Sequence, residues 1–252
     1  MLNQKQYISV DIEHTGASGN ESGSIVSLGA CVVWKIDNAF YTELKPINNW
    51  FNTQALKVGA KNLLCLGEKL NRSPEEIMSI LKIRWTEPEE ALKEYWLWLN
   101  GLKQSPIEAA APIKFDGWLM AEYHRLCNKK NPLWHSWEDI NSLLRWFVND
   151  TSVGIKKLWI RDWDLPHNAL RDAQIQAIEM EVVLQMMKVN QDTKWEITKF
   201  LLDTKNGNKL KHLHFHHQTH HIFNWAKRTI QLITQTPIEE ELPIEALKTI
   251  NI

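Results

Sequence analysis

The sequence is short of cysteine, of excess charge and of long apolar runs, and each shortage excludes a class of protein. Its 252 residues include three cysteines, an odd number with no CxxC pair, which excludes a disulfide framework or a cysteine zinc site. A net charge of −1 excludes a uniformly basic coat for nucleic acid but allows a local basic groove. No apolar run has membrane-spanning length, and the first residues lack the regions of a signal peptide. We therefore expect a protein of the reducing cytoplasm without membrane association.

What is present is a pattern of strands followed by helices. Runs rich in β-branched and aromatic residues predict three opening strands, at residues 7–13, 25–34 and 39–45. A helix is predicted from Pro88, and further elements are a strand at 107–113 and helices at 117–128, 138–148 and 168–188. This order predicts an α/β domain with a mixed sheet, flanked by helices, whose opening strands form an antiparallel meander.

Two regions are predicted along the chain, a domain over residues 1–189 and a C-terminal helical extension over 190–252. Six of the ten histidines fall between His212 and His221, in a basic stretch that precedes an acidic end. His216 and His220 are spaced i, i+4, as are His217 and His221, so each pair can share one helix face. A transition-metal site and a surface-exposed helix are both open, and the absence of a nearby carboxylate or cysteine favours the helix.

Acidic residues stand at three informative places. Asp11 and Glu13 are two apart on a predicted strand, so both side chains point to one face, where they need cations unless that face is solvated. Asp116 lies at a strand-to-helix junction, where it can face the end of the first strand or cap the helix. Asp172 falls in the first turns of a later helix, and His167 precedes that helix on a loop.

Such a set suits the metal-assisted hydrolysis of a phosphodiester. Two divalent ions about 3.5–4 Å apart can activate water and stabilise the leaving oxygen. Oxygen ligands favour Mg²⁺ or Mn²⁺ over softer metals. A neutral imidazole such as that of His167 can accept the proton of the attacking water near pH 7.

Three blocks of sequence resemble a known family. V-D-I-E-H-T-G at 10–16, F-D-G-W at 115–118 and H-N-A-L-R-D-A at 167–173 resemble the motifs of the DEDD superfamily, histidine-bearing (DEDDh) branch. That branch includes ribonuclease T, oligoribonuclease and the proofreading subunits of DNA polymerases. Residues 40–46 and 137–140 resemble segments of a subgroup of small bacterial and phage 3′→5′ exoribonucleases.

The resemblance implies a ribonuclease H-like fold and a 3′→5′ exonuclease that releases nucleoside 5′-monophosphates from RNA or single-stranded DNA. It implies that Asp11, Glu13, Asp116 and Asp172 bind two Mg²⁺ or Mn²⁺ ions and that His167 is the general base. Nucleic acid with a 3′ end is the implied partner, and a homodimer is a further expectation. The residues implied to contact substrate are His14, Thr15, Phe115 and Trp118.

Some positions leave alternatives open. His14 stands where many members have Thr, and it is a substrate-side or structural residue rather than a metal ligand. Trp118 either stacks on a base or packs against its own domain. Lys114 either contacts a phosphate or is solvated. Two other functions fit the same residues: a non-catalytic nucleic-acid-binding or partner subunit on this fold, and a phosphohydrolase acting on small nucleotides.

Overall fold

The protein forms a five-stranded mixed sheet with helices on both faces. The computed structural model describes residues 6–18, 21–67, 72–102, 106–111, 113–131, 137–158, 160, 165–188, 194–195, 197–198 and 217–236. The strands are β1 (Gln6–His14), β2 (Ala17–Ser18), β3 (Glu21–Ser22), β4 (Ile25–Val32), β5 (Lys35–Glu43), β6 (Pro106–Ala110) and β7 (Trp137–Asp139). The main sheet has the order β5-β4-β1-β6-β7, and β2 pairs with β3 in a separate small ribbon.

Strand direction in the sheet agrees with the sequence pattern. β1 and β4 pair antiparallel, as do β4 and β5, so the predicted opening meander is confirmed. β6 joins the other edge of β1 in parallel, and β7 extends the sheet in parallel beyond β6. The carboxyl ends of β1 and β6 therefore lie side by side, which is where loops of an α/β sheet usually build a site.

The helices differ from the predicted ones mainly between β5 and β6. They are α1 (Thr53–Gly59), α2 (Pro74–Arg84), α3 (Pro88–Asn100), α4 (Ile113–Leu126), α5 (Ile140–Val148), α6 (Ala169–Met186) and α7 (His217–Gln235). The patterns did not predict α1 and α2, because both are short and bury few apolar residues. α4 begins at Ile113 rather than 117, and the residues before Ile140 form β7 instead of the first turn of α5. Among the described residues, no helix is long and apolar enough to cross a bilayer.

The two faces of β1 have different partners. Ile8, Val10 and Ile12 point into the core that α3 and α4 cover. The alternate residues, including Asp11 and Glu13, point to the opposite face, where α6 packs. One face of the strand is thus apolar packing, and the other carries the acids.

Helix α6 lies between the sheet and α7. Fifteen of its eighteen residues are buried, so solvent reaches almost no part of its surface. α7 covers the outer side of α6 with a stripe of apolar residues that belong to the same core as α5 and α6. These residues are Ile222, Phe223, Ala226, Ile230 and Ile233. The predicted C-terminal helix is present, and it shares its core with elements on the other side of residue 189.

Truncation of the α7 stripe is expected to destabilise the whole fold. Replacing the fully buried Ile230 with Ala should lower the free energy of unfolding by about 2–5 kcal/mol, because a cavity is left against α6. The exposed neighbour Gln231 is the control, and its replacement with Ala should change stability by less than about 0.5 kcal/mol. Urea denaturation measures both, and equal effects would contradict the packing of α7 on α6.

Candidate functional site

Asp11 and Glu13 lie near the carboxyl end of β1, the central strand. Asp11 is paired in register with Gly29 of β4, and the pairing is interrupted by a register shift just after Glu13. A side chain at Gly29 would collide with the carbonyl of Ala169, the first residue of α6. The absence of a side chain at this position therefore lets the start of α6 approach the strand that carries the two acids.

Asp116 reaches the same place from the adjacent parallel strand. β6 ends at Ala110 and α4 begins at Ile113, so Asp116 lies in the first turn of α4. Gly117 packs against the Trp137 ring, and a Cβ there would lie 3.0 Å from that ring. The sequence pattern placed Asp116 before the helix, whereas the structure places it inside the first turn, with its side chain 8% exposed.

Asp172 comes from the first turn of α6. The helix begins at Ala169, and Asn168 is its N-cap, with a side-chain oxygen that accepts a hydrogen bond from the Arg171 amide at 3.1 Å. Asp172 is 2% exposed, and its Oδ2 accepts a hydrogen bond from the backbone N–H of His167 at 3.0 Å. The helix carboxylate therefore also fixes the backbone of the loop histidine.

Two asparagines hold the loop that carries His167. The Asn168 side-chain amide donates to the carbonyl of Asn62 at 3.1 Å, and the Asn62 amide donates to the carbonyl of Pro166. His167 has a φ of 59°, a left-handed conformation that residues other than glycine adopt seldom. The hydrogen bonds on both sides of His167 compensate for this conformation. Its Nδ1 lies 3.9 Å from Glu13 Oε1, and its side chain is 42% exposed.

The four acids and His167 line one cleft of about 640 Å³. Another part of the cleft wall is formed by α1 and the residue that precedes it, together with Leu165. Asn52, Gln54, Ala55 and Val58 face the cleft from that wall. Among the described residues that line the cleft, none is lysine or arginine. The negative charge of the acids is therefore not balanced by a basic side chain of the cleft wall.

Burial and mutual repulsion make the acids weak. Burial raises the pKa of Asp11 well above its usual range, and the charges of the other three acids raise it further. Burial, followed by the charges of Asp172 and Asp116, raises the pKa of Glu13 to about 8. Burial also raises the pKa of Asp116 to about 7, with a further contribution from the charge of Glu108 on β6. Such a cluster takes up protons or cations to remain buried.

The donor set fits divalent metal ions. One ligand atom from each of Glu13, His167 and Asp172 can be chosen so that the three lie within 4.8 Å of one another. Asp11 and Asp116 line the same cleft and add further carboxylate oxygens. Oxygen-rich sites of this kind suit Mg²⁺ or Mn²⁺.

The residues after Glu13 have separate surroundings. His14 lines the cleft, and its Nδ1 accepts a hydrogen bond from the Gly16 amide at 2.9 Å. Burial lowers the pKa of His14. Thr15 is fully buried, and its hydroxyl donates to the Trp50 carbonyl at 3.1 Å and accepts from the Ser24 amide at 2.8 Å. The Thr15 hydroxyl thus makes both hydrogen bonds inside the protein, and a contact between Thr15 and substrate stays a prediction.

The remaining predicted positions lie on α4 and α7. Trp118 is 49% exposed and two residues beyond Asp116, so it projects to a different side of α4 than the acid does. The side chains of Lys114 and Phe115 lie outside the described residues. His217, His220 and His221 belong to α7, but their side chains are not described, and the other histidines of that cluster lie outside the described ranges.

A residue that contacts the acid cluster directly was also not predicted. Gln176 lies one helical turn after Asp172 on α6 and is 1% exposed. Its amide nitrogen donates to Asp11 Oδ1 at 2.7 Å, and its oxygen accepts from the Ala111 amide at 2.8 Å. The i, i+4 spacing from Asp172 was the available signal, since it places both side chains on one face of the helix.

Comparison with solved structures identifies the fold. The chain is similar to the nuclease domain of 3′hExo, described as a DEDDh family member bound to rAMP, with a TM-score of 0.55 and 15% sequence identity. The match covers 73% of this chain and 92% of that chain. This chain therefore shares the fold of that nuclease domain, a mixed five-stranded sheet flanked by helices. The predicted ribonuclease H-like architecture is thus confirmed, and at this identity the likeness concerns the fold alone. No protein-family model and no curated protein sequence matches the chain.

The weak acids predict how stability depends on pH when metal is removed. With Glu13 near pKa 8 in the folded chain and 4.5 as its ordinary value, the folded protein keeps a proton that the unfolded chain releases. Its contribution to stability is therefore complete below about pH 4.5 and is lost as the pH rises through about 8. In EDTA, Tm should fall between about pH 5 and 9, and Glu13→Gln should make this fall shallower.

The control for this measurement is Glu94→Gln, because the Glu94 side chain is exposed in the middle of α3. Thermal unfolding at several pH values is recorded for the three proteins in EDTA. The control should follow the wild-type curve. A Glu13→Gln profile that coincides with the wild type would contradict the elevated pKa.

Proposed function

We propose that the protein is a DEDDh-type nuclease that uses two Mg²⁺ or Mn²⁺ ions to remove nucleotides from the 3′ end of RNA or single-stranded DNA. The proposal is carried by the meeting of four buried carboxylates and one histidine, from three separate segments, in a cleft without a described basic side chain. The 3′→5′ polarity and the nucleoside 5′-monophosphate product are inferred from the motif resemblance. Family membership is part of the proposal and is supported by the motifs and the shared fold.

The carboxylates would hold the metal ions. Asp11 and Glu13 would bind from β1, Asp116 from α4 and Asp172 from α6. Bound divalent ions supply Lewis-acid stabilisation of charge on the phosphate and lower the pKa of bound water. Because the pKa values of Asp11 and Glu13 are raised, metal ions would compete with protons for these carboxylates.

His167 is proposed as the general base. Its imidazole is partly exposed to the cleft while its backbone is fixed by Asp172 and Asn62. An imidazole that accepts the proton of attacking water becomes positively charged, and Glu13 at 3.9 Å stabilises that charge. The asparagine bonds limit how far the loop can move, so His167 acts from a prepared position.

The terminal nucleotide is proposed to lie between the acids and α1. A cleft of about 640 Å³ is within the usual range for a small-molecule site. Ala55, Val58 and Leu165 offer apolar contacts to a base or sugar, and Asn52 and Gln54 offer amides. His14 is proposed to contact substrate from the end of β1.

The proposed domain arrangement follows the same division as the sequence. Residues 1–189 would carry every proposed catalytic group, and residues 190–252 would be an extension, of which the described helix α7 packs against α6. A non-catalytic binding subunit and a small-nucleotide phosphohydrolase are the two alternatives. The first predicts binding without cleavage, and the second predicts hydrolysis of free nucleotides without shortening of an oligonucleotide.

A labelled-substrate assay separates these functions. The protein is incubated with 5′-labelled single-stranded RNA, single-stranded DNA and duplexes with 3′ overhangs, in Mg²⁺, in Mn²⁺ and in EDTA. A ladder that shortens from the 3′ end in either metal and is absent in EDTA is expected. Bound but intact oligonucleotide, or cleavage in EDTA, would contradict the proposal.

Removal of a proposed ligand should abolish turnover. Asp172→Asn keeps the shape of the side chain and an oxygen that can accept from His167 N–H, but it loses the charge. Cleavage should fall below detection at any Mg²⁺ concentration, while Glu87→Gln, a change at an exposed acid, should leave the rate unchanged. Undiminished cleavage by Asp172→Asn would remove Asp172 from the metal site.

Removal of the proposed base should slow the chemistry and spare binding. His167→Ala is expected to reduce kcat by about 10²–10⁴-fold, the usual contribution of a general base. Oligonucleotide affinity measured in Ca²⁺, which replaces the activating ions, should change little. An unaffected kcat would show that another group accepts the proton.

A further inference from the structure

We propose that Gln176 is a positioning residue that holds Asp11 in the orientation needed for metal binding. The inference rests on the proposed function, since it concerns the same acid cluster. Gln176 is buried, with 1% of its surface exposed. Its two hydrogen bonds connect α6 to Asp11 on β1 and to Ala111, which follows β6.

The orientation of the Gln176 amide is determined by its partners. The backbone N–H of Ala111 can only donate, and it donates to Gln176 Oε1 at 2.8 Å. The NH₂ group must then point the other way, where it donates to Asp11 Oδ1 at 2.7 Å. Both hydrogen-bonding ends of the amide are therefore occupied within the protein.

The hydrogen bond from Gln176 engages one of the two oxygens of Asp11. Oδ1 accepts from Gln176, while the residue as a whole lines the cleft with 9% of its surface exposed. A neutral donor fixes the rotation of the carboxylate without adding positive charge. A lysine or arginine in this place would neutralise Asp11 and compete with a metal ion, whereas an amide adds no charge of its own.

The placement of Gln176 on α6 couples two acids. Gln176 and Asp172 are one turn apart on the same face, so one rigid helix presents the Asp172 carboxylate and also holds Asp11. Ala111 follows β6 and leads towards α4, which carries Asp116. A single side chain thus fixes the spacing between segments that contribute ligands.

The chain offers a matched control in Gln174. It lies on the same helix, is 3% exposed, and also uses both ends of its amide, donating to the Ile36 carbonyl at 3.0 Å and accepting from Arg171 at 3.1 Å. Neither of these bonds reaches the acid cluster. Replacing Gln174 therefore shows how much the loss of a buried, hydrogen-bonded amide from α6 lowers the stability of the fold.

The test compares Gln176→Met with Gln174→Met, each of which keeps side-chain length and removes the amide. Mn²⁺ affinity is measured by titration calorimetry on the full chain without nucleic acid, and Tm is measured in EDTA. The two variants should lose similar Tm in EDTA. Gln176→Met should raise the Mn²⁺ Kd by about 10–100-fold, the usual effect of losing a partner of a metal ligand, and Gln174→Met should change it by less than about twofold.

A double-mutant cycle tests whether Gln176 acts through Asp11. In an Asp11→Asn background, the additional change Gln176→Met should alter the Mn²⁺ Kd by less than about twofold, because the ligand it positions is already lost. A large further loss would overturn the proposed route. If Gln176→Met does not fold, Gln176→Asn is used, since it keeps an amide that is too short to span both partners, and the same rise in Kd is expected.

The possible failures can be told apart. Equal Mn²⁺ affinities of the Gln176 and Gln174 variants, with tight binding by the wild type, would overturn the positioning role and leave the proposed function standing. An absence of Mn²⁺ binding by the wild type would overturn both. In the cleavage assay, the half-saturating Mn²⁺ concentration should rise for Gln176→Met while kcat at saturation stays within a few-fold.

Discussion

Repulsion among buried carboxylates is the constraint on which the rest of the structure depends. Asp11, Glu13, Asp116 and Asp172 are each at most 9% exposed and line one cleft, although bringing like charges together out of water is unfavourable. The fold tolerates this arrangement through protons held at raised pKa values, or through cations. The described side chains of this cleft supply negative charge and include no lysine or arginine. Such a site favours a ligand that carries positive charge.

The scaffold brings the acids together through backbone geometry. Parallel pairing of β6 with β1 places the start of α4 beside the end of the acid-bearing strand. Gly29, in register with Asp11, lets the start of α6 approach the sheet. Apolar packing on the opposite face of β1 anchors the strand, so the polar face can carry groups that contribute little to stability.

The sequence predicted the architecture and the cluster better than the surroundings of the cluster. Strand alternation and helical periodicity are local signals, and they located β1, β4, β5, α3 and α6. Helices α1 and α2 were not predicted because their few buried residues, such as Leu56 and Leu81, form no long periodic apolar pattern. The roles of Asn62 and Gln176 depend on contacts between residues that are far apart in the sequence. Asn62 and Pro166 are 104 residues apart, and Gln176 and Asp11 are 165 residues apart. No local sequence pattern encodes such contacts. Thr15 fits the motif, but the loop that buries its hydroxyl could not be read from the motif itself.

The enclosure of α6 has a consequence for movement. A helix with packing partners on nearly every side has no free volume into which it can shift, because protein interiors are close-packed. Adjustments that accompany entry and release of a ligand must therefore fall on the other wall of the cleft. That wall is built by the short helix α1, and Asn62, which follows α1, is joined to the His167 loop by hydrogen bonds. A ligand that displaced α1 would therefore also displace the loop that carries His167, while Asp172 on α6 stayed in place.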